Sequence, residues 1–220
     1  MCRFLIAKST KKFIPESLLN SFADMAQKSR TFDGDLQKDG WGMSWWNNGT
    51  WEQYVSMKPI WEDTHMFSYA PESTCFAVHA RSASFADHEN IIAYNQPFIR
   101  DKYSFVFNGL LKGVRLPYKL EGTIGSQKIF SLIDRFLKTM PTKKALEKAV
   151  ESINAHSRFI QALNIGICDG SKIYAYTQYA KHPQYYHLQY SNENDMQIVS
   201  SEAIENYSFS SIPARRVNRW

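Results

Sequence analysis

The apolar segments of this chain come in blocks, and that grouping constrains its fold more than any other feature. From residue 159 onward, segments with strand character follow one another: 159–168 and 171–178 around Asp169-Gly170, a third near 185–190 and a fourth near 195–199. Earlier strands are expected at 2–7 (CRFLIA), at 74–81 (TCFAVHAR) and at 103–107 (YSFVF), the last ending at Asn108-Gly109. WGMSWW and TWEQYVSM flank Asn47-Asn48-Gly49, and two such runs around an Asn-Gly turn predict a hairpin. Helical spacing is confined to three places. These are 17–29, with Pro15 near its start, 126–138, with Ile129, Phe130, Ile133 and Leu137 on one face, and 142–155 after Pro141. Strands in groups and helices in groups predict α+β layers rather than an alternating, doubly wound sheet. With no repeat and no low-complexity linker, residues 1–220 read as one domain.

Composition excludes several functions. Hydrophobic residues are 44% and charged residues 21%, as in an ordinary globular chain. The net charge of +5 is scattered, with local concentrations only at Lys143-Lys144 and at Arg215, Arg216 and Arg219, so nucleic acid is not an expected partner. No apolar stretch approaches bilayer length, and Lys8, Lys11 and Lys12 interrupt the first apolar run before a secretory segment forms. The chain reads as cytoplasmic, with no membrane partner. Three cysteines, Cys2, Cys75 and Cys168, are odd in number and share no metal-like spacing, so neither a disulfide framework nor a zinc site is expected. Cys75 and Cys168 read as small hydrophobes of buried strands. The aromatic share of 15% leaves rings to spare for a pocket, and exposed ones make a homodimer conceivable.

Chemistry begins with Cys2. Alone, it reads first as a residue of an N-terminal strand. Aminopeptidase removal of Met1 would expose its α-amine, whose ordinary pKa of roughly 7.7–8 leaves a useful fraction neutral near pH 7. That amine can take the thiol proton, so one residue supplies nucleophile and base. Amide cleavage also needs donors for an oxyanion. Asn108-Gly109 can supply a side-chain amide and a backbone N–H, although in isolation the pair reads as a turn. Arg81 offers a fork of donors suited to a carboxylate, or else an ordinary surface ion pair. His79 shares the strand face of Arg81 and reads as a core or supporting histidine before a catalytic one.

MCRFLIA, DGWGMSWW (39–46), HARSAS (79–84), NQPF (95–98), FNGLL (107–111) and IVSSEAIE (198–205) occur in the order and spacing of the class II glutamine amidotransferase domain. The chain resembles that N-terminal-nucleophile hydrolase family, in its compact stand-alone form, from residue 2 to about residue 205. The resemblance implies a four-layer αββα sandwich of two antiparallel sheets flanked by helices. It implies Cys2 as nucleophile and base, and Asn108 and Gly109 as the oxyanion hole. Arg81 would bind the α-carboxylate of a glutamine or γ-glutamyl amide, with His79 and Ser82 beside it and Trp41 and Gly42 shaping the pocket.

The departures lie in recognition. Where the family has a T-D-S-E stretch whose Asp holds the substrate's α-ammonium, this chain has Ile124-Gly125-Ser126-Gln127. The usual His-Pro-Phe reads Gln96-Pro97-Phe98, His-Asn-Gly reads Phe107-Asn108-Gly109, and Leu110 stands where compact members carry glutamine. An unpaired ammonium is costly to bury, so free glutamine is expected to bind poorly. The leading expectation is an amidohydrolase with a thioester intermediate and altered α-amine recognition, needing no metal and no organic cofactor. The alternatives are a glutaminase subunit feeding ammonia to a partner synthase and a non-catalytic binding or regulatory protein on the same fold.

Overall fold

The computed structural model describes residues 1–29, 34, 36–83 and 85–220. Its elements run β1 (Arg3–Phe13), α1 (Glu16–Lys28), β2 (Trp41–Asn47), β3 (Thr50–Ser56), β4 (Ser73–Ala80), β5 (Phe98–Arg100) and β6 (Tyr103–Val114). Then follow α2 (Gly125–Leu137), α3 (Thr142–His156), β7 (Ser157–Cys168), β8 (Ile173–Tyr179) and a single turn α4 (Pro183–Tyr186). The chain closes with β9 (Gln189–Glu193), β10 (Met196–Ser200), β11 (Ser210–Ser211) and β12 (Val217–Arg219).

The strands form two antiparallel sheets, one ordered β11-β9-β10-β1-β4-β2-β3 and the other β12-β8-β7-β6-β5. Side-chain alternation then dictates the layers. In β1, Leu5 and Ala7 turn to α1 and pack with Leu18, Leu19, Phe22 and Ala26. Phe4 and Ile6 turn the other way and meet Val106 and Ala175 of the second sheet. Beyond that sheet, α2 and α3 lay Ile129, Ile133, Leu146 and Ile153 on Phe105, Leu163 and Ile165. Helix, sheet, sheet, helix is the four-layer order that the family resemblance implied, and it agrees with the α+β layers read from the grouping of elements. Among the described residues no helix is long and apolar enough to cross a membrane.

Several boundaries differ from the sequence reading; the strand expected at 2–7 runs on to Phe13. The expected strand near 185–190 starts late, because residues 183–186 form a helical turn opened by His182 in the left-handed region (φ 57°) and by Pro183, and the strand begins only at Gln189. Burial of Tyr185 and Tyr186 makes this turn look like a strand in sequence. The strand beginning at Tyr103 does not end at Asn108-Gly109 but continues to Val114. Asn108 pairs with Asn164 and Gly109 with Leu163, which places both residues in mid-ladder. Between the sheets, the buried Cys75 and Cys168 sulfurs lie 2.6 Å apart, and burial, then the Cys168 contact, push the Cys75 thiol well above its ordinary pKa.

Candidate active site

Cys2 immediately precedes β1, on the face that alternation gives to Phe4 and Ile6, between the sheets. Its strand is fixed by Arg3, whose head is buried. Arg3 donates to Ser29 Oγ and to the carbonyls of Tyr185 and Ser201, pairs with Glu202 at 2.7 Å and lies over the Tyr185 ring. One side chain thus ties the start of β1 to α1, α4 and the end of β10. The Met1 carbonyl accepts from Gln37 Nε2 at 3.0 Å and from the Tyr185 hydroxyl at 3.3 Å. The Met1 ammonium donates to Ser82 Oγ, and Cys2 Sγ sits 3.6 Å from the Ser82 carbonyl oxygen.

Asn108 reaches the same gap from the other sheet, on the face of Val106. Its side chain is fully buried, and neither Nδ2 nor Oδ1 has a hydrogen-bond partner among the described residues. A buried amide left open costs about 1–3 kcal/mol, so its placement needs a reason outside stability. The backbone just before it is clamped: Gln96 Oε1 accepts from the Phe107 N–H at 2.6 Å, and Gln96 Nε2 donates to the Phe107 carbonyl at 3.4 Å. Gly109 is required by close approach, since a Cβ there would lie 2.3 Å from the Ala162 carbonyl oxygen.

Arg81 follows β4 and is buried. Its guanidinium donates to the carbonyls of Asp39 and Glu89, to Asn95 Oδ1 and, very closely, to the His88 carbonyl. No carboxylate of the described residues forms an ion pair with it. Burial lowers its pKa, opposed by the nearby Cys2 and Asp39. Gly40 makes this arrangement fit: its φ of +110° suits glycine, and a Cβ would lie 2.3 Å from Asn95 Nδ2.

Cys2, Arg81, Ser82, Asn108 and Gly109 all line one cavity of about 590 Å³. Trp41, Gly42 and His79 do not. Trp41 is buried in the α1-side core with its indole donating to Asp63, and Gly42 packs under the Gln96 carbonyl. His79 lies beneath the site with Nε2 3.3 Å from the Phe107 carbonyl oxygen. Burial drives its pKa down to about 3, against the raising effect of Phe107 and with a further push from Arg81. It therefore remains neutral near pH 7. Of the HARSAS motif, Ser84 lies outside the described residues.

The 124–127 stretch opens α2, and here structure refines sequence. Gln127 accepts from the N–H groups of Thr123 and Ile124 and donates to the Ala93 carbonyl, so it caps the helix. Gly125 and Ser126 line the cavity, and a Cβ at Gly125 would meet nothing within 4 Å. Arg3, Gln37, Tyr185 and the cavity-lining Lys128 were not singled out by sequence, because each matters only through tertiary contacts. Among the described residues no cluster of His, Cys, Asp and Glu could hold a metal ion.

No protein-family model and no curated protein sequence matches the chain. Solved structures do match it in fold. A glutamine aminotransferase class-II domain protein from Silicibacter pomeroyi superposes with a TM-score of 0.67 at 16% identity, covering 99% of this chain and 94% of that one. The glutamine phosphoribosylpyrophosphate amidotransferase of B. subtilis gives 0.67 at 10% identity, with all of this chain matching 49% of that one. A predicted glutamine amidotransferase from Pseudomonas aeruginosa gives 0.55 at 14% identity, covering 100% and 96%. At these identities the likeness shows the fold, that of class II glutamine amidotransferase domains.

Proposed function

We propose that residues 1–220 act as one amidohydrolase domain with Cys2, freed by removal of Met1, as nucleophile and base. The observation that carries this reading is that Cys2 and the unpartnered, buried Asn108 amide line the same cavity from opposite sheets. The Cys2 amine takes the thiol proton, and sulfur attacks the carbonyl carbon of a glutamine or γ-glutamyl-type amide. Asn108 Nδ2 and the Gly109 N–H hold the oxyanion, which explains an amide donor left unpaired in the ground state. The intermediate collapses to a thioester as the ammonium of Cys2 gives its proton to the departing nitrogen. Water then cleaves the thioester with the amine again as base, regenerating the thiol. Gln37, whose buried Oε1 has no hydrogen-bond partner among the described residues, and the Tyr185 hydroxyl stand where the freed amine would be held. Arg81 would receive the substrate's carboxylate, with Ser82 beside it. No step requires a cofactor.

The test is a hydrolysis screen of glutamine, γ-glutamyl amides and amides without an α-amine, with wild type and Cys2→Ala side by side. Turnover of at least one amide that disappears in Cys2→Ala is expected. Turnover retained by Cys2→Ala, or none across the screen, overturns the proposal.

A further inference from the structure

We infer that the substrate is an Nα-acylated glutamine, its α-nitrogen masked by an apolar acyl chain; this rests on the amidohydrolase reading above. Charge comes first. Among its described lining residues the cavity has no Asp or Glu, while Arg81 and Lys128 both line it. A carboxylate finds complementary charge there. Among those described residues a free α-ammonium finds no carboxylate, while Arg81 and Lys128 both stand in the lining, so it would lose its water without compensation. Acylation removes that charge and leaves the carboxylate and the γ-carboxamide in place.

Shape and polarity then select the mask. The volume of about 590 Å³ exceeds what a free amino acid fills and falls in the roughly 300–1,000 Å³ range of sites for larger ligands. Much of the lining is apolar, with Leu111, Leu116, Tyr118, Leu120, Ile129 and Ile153 contributed by β6, the 115–124 connection, α2 and α3. Phe85 and Val114 also line it while 58% and 39% exposed, apolar surface that an acyl chain would cover. At Gly125, also in the lining, a Cβ would meet nothing within 4 Å, so glycine leaves that part of the cavity open.

The reaction balances as a simple hydrolysis. Cys2 sulfur bonds to the γ-carbonyl carbon, the carbon–nitrogen bond breaks, and ammonia leaves with the proton relayed by the Cys2 amine. Water then yields the Nα-acyl glutamate and free thiol, while the α-amide remains intact.

The test compares L-glutamine, Nα-acetyl-L-glutamine and Nα-octanoyl-L-glutamine by product analysis, and their binding to Cys2→Ala by calorimetry. Expected is kcat/KM rising along this series, with the octanoyl compound at least about 100-fold above glutamine and ammonia as the released product. Glutamine cleaved as well as the octanoyl compound overturns the inference and leaves the amidohydrolase reading standing. Release of octanoate overturns it too, because the wrong amide is then cut. If wild type cleaves none of the three but Cys2→Ala binds the octanoyl compound in preference to glutamine, the ligand class stands and the catalytic reading falls. Binding of none, or preference for glutamine, overturns the ligand class.

Discussion

Gly125→Asp should convert the site toward free glutamine. Gly125 is the first residue of α2 and lines the cavity, a Cβ there meets nothing within 4 Å, and its φ lies outside the left-handed region. An aspartate therefore enters without displacing a neighbour. The first turn of α2 holds no acid at present, so a carboxylate at its N-terminus stabilises the helix by about 0.3–1 kcal/mol. An ammonium held about 4 Å from that carboxylate gains about 4 kcal/mol of attraction at an effective dielectric near 20. Desolvation of both charges returns part of this and leaves about 1.5–3 kcal/mol, or roughly 10- to 100-fold in kcat/KM for L-glutamine. Ammonia release measured over a glutamine concentration series reads the gain directly, with the uncharged Gly125→Asn as control. If Gly125→Asp folds with an undiminished Tm and shows no gain over Gly125→Asn, position 125 does not govern recognition of the amine.

Two further predictions concern buried polar groups. Asn108→Leu replaces an amide with two unpartnered atoms by an apolar side chain of similar size, so Tm should rise while kcat falls about 10²- to 10³-fold; a fall in Tm with activity kept would contradict the oxyanion role. His79 stays neutral in the fold down to about pH 3, whereas an unfolded imidazole takes its proton near 6.5. Between these pH values unfolding takes up a proton, so stability falls as pH falls, by up to about 1.4 kcal/mol per pH unit from this group alone. Denaturant midpoints of wild type and His79→Gln between pH 7 and 4 should diverge in slope, and parallel profiles would contradict the burial of a neutral imidazole.

Local chemistry decides which features were legible in the sequence. The β2–β3 hairpin was, because Asn48 and Gly49 take positive φ values of 48° and 93° that few other residue pairs accept in so tight a turn. The three longer helices were, because their apolar faces repeat at helical spacing. The turn at 183–186 was not, because two buried tyrosines carry the same apolar signal in a strand and in a helical turn. Of the candidate site residues, Cys2, Arg81, Ser82, Asn108 and Gly109 line one cavity, whereas Trp41, Gly42 and His79 are not in its lining. The roles of 125 and 127 required the structure: both differ from the family pattern, yet Gln127 caps α2 while Gly125 opens into the cavity. Gln37 and Tyr185 lie far apart in sequence and meet only at the Met1 carbonyl. No periodicity marks such a pair.

The central claim is that the chain attacks through Cys2 as a free N-terminal residue, and intact mass of the purified protein after brief treatment with a thiol-directed haloacetamide tests it most directly. Cys75 and Cys168 are buried against each other, and the Cys75 thiol is held well above its ordinary pKa, so both should resist the reagent in the folded state. The account predicts a protein lacking Met1 that gains a single adduct mapped to Cys2, with Cys2→Ala gaining none. Retained Met1, or an adduct that persists in Cys2→Ala, would contradict it.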